Sequence, residues 1–200
     1  MKYSLKVLLL MLGLSELGMA QMATAGPYED AGDAFARADY AKAELIYRSL
    51  AGQGNTDAQQ WVGYLYEFGK GVPQDYKEAV KWYRLAADQG NESAQWYLGT
   101  MYEEGKGVSQ SDKEAVKWFR FSAQQGNADG QWCLGVMYEL GKGVPQDYLR
   151  AHMFYNLSAA SSSNYAKYRD DVARKMPASK VVRAQEMAKD CRASNYKSCD

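Results

Sequence analysis

The sequence predicts an all-α protein, a right-handed α-solenoid of antiparallel helix pairs closed by a C-terminal helical cap. Three observations predict this fold class. The chain superposes on itself when it is shifted by 36 residues, and a fixed period of that length is typical of repeat proteins. Each period holds two amphipathic helical segments joined by a glycine-rich loop. No segment shows the period-two alternation of a strand.

The first element of the chain is a short apolar run that begins close to the N-terminus. Lys2 and Lys6 supply positive charge ahead of an apolar stretch over 7–14, and small residues follow it. This order is typical of a secretory signal peptide. The run is far shorter than the roughly 18 apolar residues of a membrane-spanning helix. We therefore expect no integral membrane segment after cleavage.

Two positions fit the cleavage preference for small residues, the bonds after Ala20 and after Ala25. Ala20 lies nearer the apolar run and is the preferred site. The sequence thus predicts a signal peptide over 1–20, a linker over 21–27 and an exported protein that is periplasmic or secreted.

The solenoid follows, and its repeats share residues at matched positions. The interhelical loop is the plainest match, GKGVPQDY at 69–76 and 141–148 and GKGVSQSD at 105–112. A less regular unit precedes the clear ones. The predicted boundaries are a degenerate repeat over 28–54, then repeats over 55–90, 91–126 and 127–163.

Each repeat contains signals that begin and end two helices. Asn91 stands where an N-cap would accept hydrogen bonds from the first turn. Gly105 ends that helix, because glycine enters the left-handed region without strain. Asp75 and Glu78 form the pattern of a capping box at the start of a second helix. A mid-helix glycine such as Gly99 costs about 1 kcal/mol relative to Ala, and it indicates close approach of two helices.

These residues resemble the Sel-one-like repeat, a relative of the tetratricopeptide repeat with a longer interhelical loop. The resemblance runs from residue 40 to about 163. It implies a tetratricopeptide-like superhelix that acts as an adaptor in protein complexes, without fixing the partner. The last repeat departs from the pattern at Arg150, His152 and Ser162, as expected where a solenoid meets its cap. The cap and a tail are predicted over 164–200, with two helices divided near Pro177.

Catalytic, metal-binding and nucleic-acid-binding signals are weak. The formal net charge is +0, with 24 basic and 24 acidic residues, which gives no electrostatic case for nucleic acid. His152 is the single histidine and lacks neighbouring ligand residues, so a structural role is favoured and no metal or cofactor is expected. The GKG loops lack the spacing of a phosphate-binding loop.

Some cysteine-rich members of the family are reported to bind or hydrolyse β-lactams, which makes a serine nucleophile worth testing. Ser194 and Lys197 match S-x-x-K, but no K-T-G or S-D-N motif follows. We therefore assign no catalytic residue and predict a non-enzyme. Two alternatives stay open, a β-lactam-binding or cell-wall-associated enzyme and a secreted host- or cell-interaction factor.

The three cysteines divide into a pair and a single residue. Cys191 and Cys199 bracket a short loop, which suits a disulfide in an oxidising compartment. Cys133 takes a helical position filled by Trp61 and Tyr97 in other repeats, which indicates a small core residue.

Alignment with the tetratricopeptide pattern gives each first helix a stripe that would line a groove. A protein or peptide ligand is the expected occupant. Tryptophans on the stripe would act as anchors, and a row of glutamates would favour a basic or amide-rich ligand. In the alternative, the tryptophans pack between repeats and the glutamates are solvated. The predicted groove consists of Gln60, Tyr64, Glu67, Trp96, Thr100, Glu103, Trp132, Val136 and Glu139.

Overall fold

The structure is a computed structural model, and it describes residues 26–197 together with residue 199. The predicted signal peptide over 1–20 lies outside the described residues. The first helix begins at Pro27, the final residue of the predicted linker.

Ten α-helices and one short 3₁₀ turn, Ser163–Tyr165, account for the regular structure of the described residues. Within that part of the chain there is no strand, so the all-α prediction is confirmed. In chain order the helices are α1 Pro27–Ala36, α2 Tyr40–Gly52, α3 Thr56–Phe68, α4 Tyr76–Asp88, α5 Glu92–Glu104, α6 Asp112–Gln124, α7 Ala128–Leu140, α8 Tyr148–Ser161, α9 Ala166–Ala173 and α10 Ala178–Ala193.

The helices pack in consecutive pairs, as the repeat predicts. α1 packs on α2, α3 on α4, α5 on α6 and α7 on α8, and each pair also packs on the next. Both cap helices, α9 and α10, pack on α8 and so cover the last repeat. Pro177 stands directly before α10, where a proline suits the beginning of a helix. None of the helices described is long and apolar enough to cross a bilayer.

Helix ends in the repeats agree with the sequence signals. The Asn91 side chain accepts a hydrogen bond from the Ala94 amide at 2.7 Å, and Asn55 and Asn127 cap α3 and α7 in the same way. Gly105 ends α5 with φ +69°, a conformation that glycine adopts without a Cβ clash.

Only half of the predicted capping box forms. The Asp75 side chain accepts from the amides of Lys77 and Glu78. Its own amide donates to the Tyr66 carbonyl at 3.0 Å, so it is not available to the Glu78 carboxylate. That carboxylate pairs with Lys81 instead. The Tyr66 carbonyl, in the first helix of the repeat, thus supplies the acceptor that a capping box would take from its glutamate.

The mid-helix glycines bring the two helices of a repeat into close contact. A Cβ on Gly99 would lie 2.5 Å from Cε1 of Phe119, which is too short for a non-bonded contact between two carbon atoms. Gly63 and Gly135 face the rings of Tyr83 and Tyr155 in the same way. An aromatic ring of each second helix therefore rests on the bare backbone of its first helix.

Buried glutamines join successive repeats. The Gln95 side chain donates to the Ala87 carbonyl at 3.2 Å, and its Oε1 accepts from Gln125 at 2.7 Å. Gln59 has the same two partners one repeat earlier. The sequence shows these glutamines in register without indicating a role, because an amide ladder depends on neighbours that only the fold brings together.

Candidate partner-binding groove

The first helices α3, α5 and α7 carry all nine residues of the predicted groove, at positions separated by one repeat. Gln60 and Glu67 are buried. The other seven, Tyr64, Trp96, Thr100, Glu103, Trp132, Val136 and Glu139, are half-buried.

Aromatic rings form a continuous row from the N-terminal pair to the middle of the solenoid. The Phe35 ring centroid lies 4.9 Å from that of Trp61. Trp61 and Tyr64 are 5.4 Å apart, Tyr64 and Tyr97 are 6.2 Å apart, and Tyr97 and Trp96 are 4.4 Å apart. Tilted and edge-to-face pairs at such distances stabilise one another beyond their buried area. The row thus presents a fixed aromatic surface along α3 and α5.

The aromatic surface resumes on α7 and reaches the cap. The Trp132 ring stacks on Tyr165 at 5.7 Å and meets the edge of Tyr168 at 5.3 Å. Tyr168 is 39% exposed. Tyr165 and Tyr168 are not among the predicted groove residues, because they lie outside the 36-residue register, although two tyrosines in a short cap segment are a visible compositional signal.

Trp96 also links neighbouring repeats. Its Nε1 donates to Sγ of Cys133 at 3.3 Å, which joins α5 to α7. Cys133 is buried, as its helical position predicts, and burial raises the pKa of its thiol to about 12. Trp96 thus combines the inter-repeat packing of the alternative interpretation with a partly exposed face.

Two of the three groove glutamates are tied to tyrosines of the second helices. The Tyr83 hydroxyl donates to Glu67 at 2.7 Å, and the Tyr155 hydroxyl donates to Glu139 at 2.7 Å. Burial is the main cause that raises the pKa of Glu67, and the Tyr83 bond opposes it. Glu139 also accepts from Lys175 at 2.7 Å. These two carboxylates therefore serve the packing of the solenoid.

The third glutamate, Glu103, has a different environment. The residue at the tyrosine position is Phe119, which has no hydroxyl to donate. The Lys142 ammonium lies 3.6 Å from the Glu103 carboxylate, in a pair that is partly exposed on both sides. The three glutamates are thus not an equivalent row.

The residues considered for chemistry occupy structural positions. His152 is buried, and burial followed by the Arg169 charge lowers its pKa. The Ser194 hydroxyl donates to the Cys191 carbonyl at 2.7 Å. Within residues 26–197 and 199, no group of three or more His, Cys, Asp or Glu side chains is arranged to hold a metal ion.

Comparison with known structures finds the same fold in other repeat proteins. A Sel1 repeat protein from Oxalobacter formigenes is 29% identical with a TM-score of 0.65, over 84% of this chain and 77% of that one. A protective antigen of uropathogenic Escherichia coli strains, which displays an SLR fold, is 26% identical with a TM-score of 0.59 over 78% of this chain. The present chain spans only 42% of that antigen. No curated protein sequence matches the chain.

The family profile of the Sel1 repeat matches three consecutive segments, 56–91, 92–127 and 128–163, which together exceed half of the chain. These segments begin one residue after the predicted repeat boundaries. Repeats of this type mediate protein–protein interaction. The three matched repeats and the helix pairs that they form show that the chain belongs to the Sel1 repeat family.

Proposed function

We propose that the protein is a non-catalytic adaptor, periplasmic or secreted, that holds an extended segment of a partner protein along the predicted groove. The observation that carries this proposal is the aromatic row, which crosses successive first helices and continues at Trp132 into the cap. Rigid, half-buried rings are favoured anchors at protein interfaces, because they bury a large area with little loss of side-chain freedom.

The length of the aromatic surface supports an extended ligand over a compact one. Each repeat contributes at least one ring, although not at the same position, with Trp61 and Tyr64 on α3, Trp96 and Tyr97 on α5 and Trp132 on α7. A peptide lying across the first helices would therefore meet one anchor after another. A small molecule would need an enclosed pocket with convergent polar groups. The partly exposed rings from Tyr64 to Tyr168 fit the first arrangement.

Site-specific crosslinking in intact source cells tests this proposal. A photo-reactive amino acid at Thr100 would stand within the groove, where the native hydroxyl only bonds the Tyr97 carbonyl of its own helix. The matched control is Leu85, which is 46% exposed on the second helix α4. We expect a discrete crosslinked protein from position 100 and none from position 85. Equal crosslinking from both positions, or none from either, would contradict a groove that binds a partner.

Export rests on the signal-like N-terminus and is supported by the pairing of Cys191 with Cys199, whose Cα atoms lie 4.7 Å apart. Fractionation of source cells and peptide mapping without reductant test it together. The expected result is an extracytoplasmic protein with a Cys191–Cys199 linked fragment, and with Cys133 alkylated only after unfolding. A cytoplasmic protein with three free thiols would rule out export.

The absence of catalysis is part of the proposal. The Ser194 hydroxyl is engaged with a backbone carbonyl of its own helix end, which does not favour a nucleophile. Nitrocefin turnover or labelling by a fluorescent penicillin would instead favour the β-lactam alternative.

A host- or cell-interaction factor is a second candidate, and one observation favours it. The structural relative from uropathogenic Escherichia coli is a protective antigen. Recovery of the protein from culture medium, with the position-100 crosslink formed only when target cells are added, would select this alternative.

A further inference from the structure

Two of the three repeats join the same two positions by a side-chain hydrogen bond, and the middle repeat does not. A glutamate near the end of the first helix is followed 16 residues later by an aromatic residue of the second helix. Tyr83 and Tyr155 use their hydroxyls to hold Glu67 and Glu139. In the middle repeat the aromatic residue is Phe119.

The ring position itself is unchanged in the middle repeat. A Cβ on the mid-helix glycine would meet Cε1 of Phe119 at 2.5 Å, compared with 2.6 Å from Cδ1 of Tyr83 and 2.7 Å from Cε1 of Tyr155. The missing hydroxyl therefore distinguishes the middle repeat, while the ring keeps the same contact with its glycine. Glu103 alone of the three lacks a hydroxyl donor within the part of the chain that the structure describes.

Glu103 keeps its carboxylate available to a ligand. Its side chain is 26% exposed, and its partner is the Lys142 ammonium at 3.6 Å, itself 45% exposed. Exposed ion pairs of this kind contribute at most about 1 kcal/mol. A bound cation that hydrogen-bonds both carboxylate oxygens would displace such a partner.

The surroundings of Glu103 suit a guanidinium group. Glu103 and Trp96 lie on the same face of α5, seven residues and thus two helical turns apart, with Thr100 between them. The carboxylate and the indole therefore stand along one stripe of the predicted groove. Arginine combines a flat face that stacks on aromatic rings with paired donors that fit a carboxylate.

We propose that Glu103 is the specificity-determining residue of the predicted groove, and that it selects an arginine side chain in the bound segment. This inference rests on the proposed function, because it names one feature of the ligand that the groove would hold. Glu67 and Glu139 are positioning residues that fix the second helices against the first.

Selection of random twelve-residue peptides displayed on phage tests the proposal. The purified chain should select peptides with an arginine at a fixed distance from an aromatic residue. A synthetic peptide of the selected sequence should lose about tenfold in affinity for Glu103→Gln. Phe119→Tyr should cause a similar loss, because it gives Glu103 the hydroxyl partner of the other repeats. Glu114→Gln is the matched control, because its carboxylate pairs with Lys117 at 3.6 Å on the second helix α6, outside the groove. This variant should retain the wild-type affinity, and melting curves should establish that each variant folds.

The outcomes separate this inference from the proposed function. Selection of tightly binding peptides without arginine would overturn the role of Glu103 and leave a peptide-binding groove intact. Equal affinity of an arginine peptide for Glu103→Gln and for the wild type would do the same. If no peptide is selected, or if an obstructing Thr100→Arg variant binds the selected peptide normally, the groove itself is wrong and Glu103 selects nothing. Should Phe119→Tyr fail to fold, Glu103→Gln alone decides between these outcomes.

Discussion

Single residues set the distance between the helices of this solenoid. Gly99 has no Cβ, and the Phe119 ring fills the space that a Cβ would take. Gly107 meets two requirements at once. Its φ is +71°, and a Cβ there would lie 2.3 Å from the Tyr76 carbonyl oxygen of the preceding repeat. A larger residue at Gly99 would displace the Phe119 ring, and one at Gly107 would separate the backbones of two successive repeats.

A pair of glycine substitutions tests the steric reason. Gly99→Ala should lower the free energy of unfolding by about 1–3 kcal/mol, because the added methyl forces the Phe119 ring from its place. Gly52→Ala is the matched control. It lies in the last turn of α2 with no heavy atom within 4 Å of the added Cβ, and should raise the free energy of unfolding by about 0.5 kcal/mol. Urea denaturation measures both. Equal effects would show that the contact with the Phe119 ring does not require glycine at position 99.

His152 should make the protein less stable in mild acid. Burial and the Arg169 charge lower its pKa in the folded state, and Asp170 opposes them. As the pH falls below about 6.5, the unfolded chain takes up a proton that the folded chain does not, so the free energy of unfolding decreases. The variant His152→Val has the valine that stands at the matched position of the preceding repeats, as Val80 and Val116. The melting temperature of the wild type should fall further than that of this variant between pH 7.5 and 5.5. Equal decreases in the melting temperatures of the two proteins would exclude His152 as the cause.

At the scale of elements, the buried glutamines Gln59, Gln95 and Gln131 form a ladder of hydrogen bonds between the repeats. This glutamine ladder ends at α8. Gln95 receives a bond from Gln125, but the position that would serve Gln131 is occupied by Ser161. Oε1 of Gln131 is consequently buried without a hydrogen-bond partner among the described residues. A buried acceptor without a donor lowers stability.

Ser161→Gln should complete the ladder. An amide at this position is expected to donate to Gln131 and to raise the free energy of unfolding by about 1 kcal/mol. The control is Ser161→Ala, which removes the serine without adding a donor. The melting temperature of Ser161→Gln should exceed those of both the wild type and the control. If the two variants have the same melting temperature, a glutamine at position 161 does not reach Gln131.

At the scale of the whole molecule, features that recur with the repeat could be predicted and features that break it could not. The helix pairs, the asparagine caps and the close approach at Gly99 follow from residues that return every 36 positions. The contacts of Tyr165 and Tyr168 with Trp132 depend on how the cap folds back, which has no counterpart in the register. The distinct environment of Glu103 depends on one missing oxygen atom, and becomes visible only when Tyr83 and Tyr155 are seen bonded to their glutamates.

We propose that a partner segment lies along the predicted groove of the first helices. Trp96→Ala would not test it cleanly, because Trp96 also bonds Cys133 in the next repeat. Thr100→Arg obstructs the same face from a half-buried position, and Leu85→Arg adds the same side chain to the exposed outer surface.

Calorimetric titration of the phage-selected peptide into these two variants measures whether the first helices bind it. We expect at least tenfold weaker binding to Thr100→Arg, wild-type affinity for Leu85→Arg, and melting temperatures within a few degrees of the wild type for both. Wild-type affinity in a folded Thr100→Arg protein, or equal losses in the two variants, would contradict binding along the first helices.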